Sequence, residues 1–156
     1  LRRQTPLLEM DFAEWREILS VALDGAFLLA KAAVPHLIER GGGAFIGLSG
    51  VSTHSGTINR AHVSASKSGL EGLMRAMSRE FAPHGITCNC VAPGAIDTVR
   101  GVSAGTLPPA ATVANIPLGR KGTPDEIAAA VALLASPEGR YITGQTIHVN
   151  GGVYLT

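Results

Sequence analysis

A lysine, Lys67, lies among small residues early in a predicted helix, in the stretch RAHVSASKSGL at residues 60–70. An ammonium group there could lower the pKa of a nearby acid or bind the oxygens of a ligand. The residue one helical turn before it is Val63, whose side chain exchanges no proton. Lys67 is therefore a candidate functional cation whose preceding helical neighbour is not an acid, and a plain surface lysine is the alternative.

A second candidate segment, PGAIDT at residues 93–98, directly follows a short apolar run. A Pro-Gly pair ends a strand, and ligands of open α/β sheets bind outside the carboxyl ends of the strands. The segment is either a ligand-contacting turn or a simple strand exit.

Hydrophobic periodicity predicts three helices that position these two segments. The first begins at Asp11 and runs towards residue 40, with a kink at Pro35. The second covers about residues 61–82, and the third begins at Thr123, followed by Pro at the first helical position. The first and third each open with the pattern of a capping box.

Three apolar runs predict strands, at residues 44–49, 86–92 and 146–149. Such runs between long helices are typical of an α/β domain with a parallel sheet and helices on its faces. Three strands are few for such a sheet, and the chain starts at Leu1 instead of a methionine. We therefore expect further N-terminal βαβ units outside this sequence.

Three longer segments resemble the short-chain dehydrogenase/reductase family, which has a Rossmann-type fold. They are similar to its long interface helix, to its active-site helix with the next strand and turn, and to its C-terminal signature. The resemblance implies that residues 1–156 are the C-terminal portion of one Rossmann-type domain, a doubly wound parallel sheet in a three-layer αβα arrangement. The segments read EWREILSVALDGAFLLAKAAVPHL, HVSASKSGLEGLMRAMSREFAPHGITCNCVAPGAIDT and IPLGRKGTPDEIAAAVALLASPEGRYITGQTIHVNGG.

The resemblance implies an oxidoreductase that transfers a hydride between NAD or NADP and a small-molecule alcohol or carbonyl substrate. Lys67 matches the family's catalytic lysine, which lowers the pKa of a tyrosine and bonds the cofactor ribose. Pro93, Gly94, Ile96 and Thr98 match the turn that contacts the nicotinamide end of the cofactor. The family's variable substrate loop corresponds to residues 101–114.

Three catalytic positions of the family carry other residues in this chain. The tyrosine position is Val63, the serine position is Gly50, and the asparagine position in the long helix is Ala22. The sequence also has no glycine-rich phosphate-binding turn at a strand–helix junction. We therefore expect impaired or non-standard catalysis and an inactive chain by itself. The alternative is a non-catalytic subunit or sensor that acts through dimerisation or nucleotide binding.

Two neighbouring residues are candidates for replacing the missing groups. Ser49 precedes Gly50, but a shift of one residue along a strand turns a side chain to the other face. His62 precedes Val63 and could titrate near neutrality, although it lies roughly 100° away around the helix. Neither side chain is expected to point into the site.

Composition and charge limit the kinds of partner, metal site and cellular compartment that we expect. The net charge is +1 and the basic residues are scattered, so we expect no nucleic-acid partner. No uninterrupted apolar run reaches 18 residues, so no membrane span is expected. Cys88 and Cys90 are too close for a disulfide and lack further zinc ligands, which predicts buried thiols in a reducing, cytoplasmic compartment and no metal.

By resemblance, helices 12–40 and 61–82 would form a homodimer or homotetramer.

Overall fold

The structure of the chain is a computed structural model that describes residues 3–99 and 112–156. The described residues form five α-helices and three β-strands, joined by short π and 3₁₀ turns. In chain order the main elements are α1 (Phe12–Leu19), α2 (Gly25–Glu39), β1 (Gly43–Leu48), α3 (Ser52–Ser55), α4 (Ala61–Glu80), β2 (Ile86–Pro93), α5 (Pro124–Ala135) and β3 (Thr146–Val149). The π turn is Ser20–Asp24, and the 3₁₀ turns are Ala82–His84, Val113–Asn115 and Pro137–Gly139.

The three strands form one parallel sheet in the order β1-β2-β3. Gly43 pairs with Ile86 at one end of the β1–β2 ladder, and Leu48 pairs with Val91 at the other. Parallel neighbours need a crossover connection, which α4 supplies between β1 and β2 and α5 between β2 and β3. The carboxyl ends of all three strands therefore meet at one edge, and the predicted α/β architecture is confirmed.

The helix α4 anchors the core beneath this edge. Its side chains Leu70, Met74 and Met77 are buried in one cluster with residues of α2 and with both cysteines of β2. The apolar stripe of α4 thus faces the sheet, as its helical periodicity predicted. Burial of this face fixes the rotation of α4 and hence the direction of its functional side chains.

The two predicted capping boxes differ in the structure. At α5 the box is complete: the Thr123 hydroxyl accepts from the Glu126 N–H at 3.3 Å, and the Glu126 carboxylate accepts from the Thr123 N–H at 2.8 Å. At α1 only half of it forms, because the Asp11 carboxylate accepts from the Glu14 N–H at 2.7 Å. The Glu14 carboxylate instead accepts from the Thr5 hydroxyl at 2.7 Å and so ties the N-terminal segment to α1.

The irregular point of the first long helical segment is not at the predicted proline. α2 continues through Pro35 to Glu39. The departure from α-helical hydrogen bonding lies at the π turn Ser20–Asp24, where the N–H of Gly25 donates to the carbonyl of Ser20. A π turn inserts one extra residue into a helix, and apolar periodicity does not reveal where it occurs.

The helical segment Phe12–Glu39 is also the most apolar long element among the described residues. Its 28 residues include an 18-residue window of mean hydropathy 1.6, so by length and composition it could cross a membrane. Charged residues interrupt the segment, which is why the sequence predicted no span. A single segment of this kind is weak support for a membrane span, because soluble core helices and signal sequences share its properties. Several of its large side chains are exposed: Phe12, Val21, Leu28 and Leu29.

Candidate functional site

Backbone hydrogen bonds join the strand ends at the carboxyl edge of the sheet. The N–H of Val51, just after β1, donates to the carbonyl of Pro93 at the end of β2, with an N–O distance of 3.1 Å. The N–H of Gly94 donates to the carbonyl of Val149 at the end of β3, at 2.9 Å. The Gly50 position and the predicted cofactor turn are therefore direct neighbours.

Lys67 reaches this edge from α4. Its ammonium group donates to the backbone carbonyl of Leu48, the last residue of β1. A lysine held in this way presents its charge beside the strand end, where parallel sheets bind ligands.

A cleft of about 420 Å³ opens beside Lys67, between the first helical segment, α4 and β1. Ala22 and Val63 line it together with Lys67. The structure therefore brings together three of the four positions that the resemblance assigns to catalytic groups, and Gly50 is not among the described lining residues. Of the described lining residues Lys67 alone is charged, and the lining further comprises Ile18, Val21, Ala26, Leu29, Phe45, Ile46, Gly47, Leu48, Ser66 and Leu70.

Among the described residues that line the cleft, none offers a side chain ready to act as a general acid beside Lys67. Ala22 and Val63 are apolar, and Ser66 is 1% exposed with its hydroxyl donating to the Val63 carbonyl at 2.9 Å. Ser66 therefore satisfies its hydrogen bond within its own helix, as buried helical serines commonly do.

The two candidate substitutes point away from the cleft. Ser49 is buried, and its hydroxyl donates to the carboxylate of Glu71 on α4. His62 is fully buried, with its Nε2 3.2 Å from a carboxylate oxygen of Glu14 on α1. That contact lies outside hydrogen-bond geometry, and both ring nitrogens lack a hydrogen-bond partner among the described residues. Neither residue lines the cleft, as the helical and strand periodicities led us to expect.

Gly94 lies where two backbones approach closely. A Cβ atom at this position would lie 2.7 Å from the Cα and 2.9 Å from the carbonyl oxygen of Asn150, just after β3. Only glycine fits such an approach without moving a backbone. At the Pro-Gly turn, the segment after β2 thus packs directly against the segment after β3. The Gly94 position leaves no space for a side chain.

The remainder of the predicted cofactor turn is tied to the start of α5. Ile96 forms an isolated parallel bridge with Gly122, and the N–H of Asp97 donates to the Gly122 carbonyl at 2.8 Å. Thr98 follows this bridge and is exposed. The predicted substrate loop lies outside the described residues up to position 111.

A polar cluster at this edge was not predicted from the sequence. Glu71 is 4% exposed, and its carboxylate accepts from Ser49 and lies 3.0 Å from the Nε2 of His54 on α3. The aromatic side chains of His148 and Tyr154 pack against His54. The sequence signal that could have revealed this cluster is Glu71 itself, which lies one turn after Lys67 on the buried side of α4. A carboxylate is rarely buried without partners.

The two cysteines are buried, as predicted. Burial raises the pKa of Cys88 to about 11. Burial, and then the nearby Glu71 carboxylate, raise the pKa of Cys90 to about 12, against a smaller opposing effect of Lys67. Both thiols are free and stay protonated at neutral pH, so they act as core residues. Among residues 3–99 and 112–156, no group of three His, Cys, Asp or Glu side chains is placed to hold a metal ion.

Comparison with known proteins gives a consistent set of relatives. The chain matches the family model described as enoyl-(acyl carrier protein) reductase over residues 1–154. It is 41% identical to 3-oxoacyl-(acyl-carrier-protein) reductase FabG of Vibrio cholerae over 155 residues, which cover 99% of this chain and 64% of that protein. The FabG protein of Escherichia coli is 39% identical, with the same coverage of 99% and 64%.

Solved structures show the same fold. A putative oxidoreductase from Escherichia coli superposes with a TM-score of 0.85 at 37% identity, covering 98% of this chain and 60% of that one. The acetoin dehydrogenase YohF from Salmonella typhimurium superposes with a TM-score of 0.86 at 36% identity, covering 98% and 61%. The chain therefore spans less than two thirds of the length of these relatives.

Proposed function

Because the chain belongs to the short-chain dehydrogenase/reductase family, we propose that its full-length protein is an NAD(P)-dependent oxidoreductase with non-standard catalysis. The reaction class is hydride transfer between the cofactor and a small alcohol or carbonyl substrate. Relatives named as a reductase and as a dehydrogenase support this class. The observation that carries the proposal is the shared cleft of Lys67, Val63 and Ala22.

The residues at the carboxyl edge fit the nicotinamide half of a dinucleotide. Lys67 places an ammonium donor beside the end of β1, which suits the hydroxyl oxygens of a ribose. The turn Pro93–Gly94 and the backbone of Ile96 lie at the neighbouring strand end, and the exposed Thr98 hydroxyl follows them. These groups would hold the ribose and the carboxamide.

NAD or NADP supplies or accepts the hydride when bound. The residues of this chain orient the ligand, but neither Val63 nor Gly50 can donate a proton to the substrate oxygen. Water or the substrate itself would then provide that proton. Loss of a general acid typically lowers a rate by 10²–10⁴-fold, so slow turnover, and not its complete loss, is the expected behaviour.

A double substitution in the full-length protein tests this proposal. Val63→Tyr with Gly50→Ser returns the family's acid and hydroxyl, and should raise the rate of NAD(P)H oxidation with a carbonyl panel at least about tenfold. The matched control is Val63→Phe with Gly50→Ser, which adds the ring without the acidic hydroxyl and should leave the rate low. Equal rates for the two double variants, or a full-length protein that neither turns over nor binds cofactor, would contradict the proposal.

The chain by itself should bind dinucleotides weakly or not at all. Its sequence contains no glycine-rich turn that opens a helix at a strand end, and such turns supply the N–H groups that bind the phosphates. Isothermal titration with NADH and NADPH measures this directly. Micromolar affinity in this chain would show that the phosphates find another site.

A second candidate function is favoured by the exposed apolar side chains of the first helical segment. Val21, Leu28 and Leu29 are 59%, 62% and 60% exposed. An apolar face of this kind suits a homodimer or homotetramer, in which the protein could act as a non-catalytic subunit or sensor. Light scattering should then show an oligomer that Leu28→Glu weakens and that Leu133→Glu on α5 leaves intact. Cofactor binding without any rate in the Val63→Tyr, Gly50→Ser variant would favour this second function.

The buried free thiols Cys88 and Cys90 support a reducing cytoplasmic location as part of the same proposal.

A further inference from the structure

Three aromatic rings from distant parts of the chain meet at the carboxyl edge of the sheet. The ring centroids of His54 on α3 and His148 on β3 are 4.7 Å apart in an edge-to-face arrangement. Tyr154, which follows β3, packs on both, with centroid distances of 5.2 Å to His54 and 5.1 Å to His148. Contacts at these distances are attractive and orient the rings. The two histidines therefore provide the surface against which the segment after β3 packs.

The segment after β3 is folded compactly against these rings. The side-chain nitrogen Nδ2 of Asn150 donates to the backbone carbonyl of Tyr154 at 2.9 Å, and the backbone N–H of Gly152 donates to the side-chain oxygen Oδ1 of Asn150 at 2.8 Å. Leu155, one residue later, is 82% exposed. We call residues 150–156 the tail. Its order depends on the Asn150 turn and on the three-ring contact.

The environment of His148 disfavours a positive charge. Its Nδ1 is buried without a hydrogen-bond partner among the described residues. Protonation makes both ring nitrogens donors, and a buried donor without an acceptor is costly. Burial, and then the neighbouring His54, lower the pKa of His148, against a smaller opposing effect of Glu71.

The described groups around His148 come from α3, α4, β2, α5 and the tail. His54 faces it from α3 and Tyr154 from the tail, while Glu71 acts from α4 and is already engaged by Ser49 and His54. The register partner on β2 is Ala92, which is uncharged. The acidic residues of α5, Asp125 and Glu126, lie in its first turn, where Glu126 pairs with Arg120.

We propose that His148 is a pH-dependent latch for the tail: the neutral imidazole keeps residues 150–156 packed at the carboxyl edge, and its protonation releases them. The released tail would loosen the edge at the Pro93–Gly94 turn, because Asn150 lies directly against Gly94. The latch concerns the order of the tail and does not depend on the proposed oxidoreductase activity.

The direction of the pH dependence follows from linkage. The packed state has the lower pKa and therefore binds fewer protons than the released state, whose histidine has its ordinary pKa of about 6.5. The packed tail is thus fully favoured above about pH 6.5. Its advantage declines as the pH falls below that value towards the lowered pKa of the packed histidine.

Amide hydrogen exchange, read by mass spectrometry on the full-length protein, tests the latch. The rates of a peptide covering residues 150–156 are corrected for intrinsic exchange between pH 8 and pH 5, with a β2 peptide as internal reference. Protection of the tail should fall at least about threefold at low pH, while that of β2 stays constant. His148→Gln should remove the pH dependence, and the control His36→Gln, at a side chain that is 77% exposed, should retain it.

Two results would overturn the latch. One is constant tail protection across the pH range in the unsubstituted protein, which is informative even when His148→Gln fails to fold. The other is a pH response that persists in His148→Gln and disappears in His54→Gln, because His54 would then be the titrating group.

Discussion

Replacing Gly94 with alanine tests the packed junction at the centre of the candidate site. The added Cβ would lie 2.7 Å from the Asn150 Cα, 2.9 Å from its Cβ and 2.9 Å from its carbonyl oxygen. Two of these atoms belong to the backbone and cannot rotate away. The segment after β2 and the segment after β3 must therefore separate by several tenths of an ångström or more.

The expected cost has two parts. Forcing an extra carbon into a filled space typically costs about 1–3 kcal/mol. The separation also weakens the 2.9 Å hydrogen bond from the Gly94 N–H to the Val149 carbonyl, which contributes about 0.5–1.5 kcal/mol. A loss of about 2–3 kcal/mol corresponds to a fall in Tm of roughly 5–10 °C for a domain of this size or larger. Gly94 does not have a positive φ, so the loss comes from contact and not from backbone strain.

Thermal unfolding followed by circular dichroism measures the effect, and Gly72→Ala on α4 is the matched control. Among the described residues outside the helix's own backbone, no atom lies within 4 Å of a Cβ at Gly72, and alanine is favoured over glycine inside a helix by about 0.5–1 kcal/mol. The same substitution should thus lower Tm at one position and maintain or raise it at the other. A Gly94→Ala protein as stable as the parent would refute the close approach of the strand exits, and with it the proposed geometry of the cofactor turn.

Three further predictions concern the hydrophobic core, the N-terminal cap of α5 and the buried thiols of β2. Met74→Ala, at a side chain 1% exposed, should destabilise the protein by about 2–5 kcal/mol in urea unfolding, whereas Leu133→Ala, at a side chain 48% exposed, should cost less than about 1 kcal/mol. Thr123→Ala removes the complete capping box of α5 and should lower the free energy of unfolding by about 1 kcal/mol. A variant that unfolds at the same urea midpoint as the parent would contradict this prediction. Because the pKa values of Cys88 and Cys90 are raised to about 11 and about 12, a thiol reagent at pH 8 should react at least about 100-fold more slowly with the folded than with the urea-unfolded chain. Rapid modification without urea would mean that the β2 thiols are accessible.

The sequence specified the sheet and its crossover helices because these rest on local patterns. A parallel strand covered on both faces must be apolar throughout, so residues 86–92 are recognisable without knowledge of their neighbours. The capping residue Thr123 likewise marks the start of α5 within a few positions. Lys67 was singled out by its place early in α4, and the role expected of it came from the family resemblance.

The parts that the sequence could not predict depend on contacts between distant segments. Glu14 matches a capping box by spacing, but its carboxylate binds Thr5, whose position is set by the path of the N-terminal segment. Glu71 is buried because Ser49 and His54 come to it from another part of the chain. No periodicity encodes such long-range partners, since each element's local pattern is compatible with several of them.

The cleft is the basis of our proposal that the full-length protein uses non-standard catalysis. Lys67 can lower the pKa of an acid only if an acid lies within several ångströms, because the interaction falls with distance. The helical neighbour that should bear this acid is Val63, and the facing residue of the first helical segment is Ala22. Both line the same cleft as Lys67, and we propose that the ammonium group there binds the ligand instead of activating a neighbouring acid. A substrate whose product alkoxide is a weak base would be the least affected by this loss, and a comparison of carbonyl substrates by the pKa of their product alcohols would reveal it. The rate should rise as that pKa falls, because a weaker alkoxide base needs less help from a proton donor. A rate independent of the product pKa would show that some group of the full-length protein replaces the missing acid.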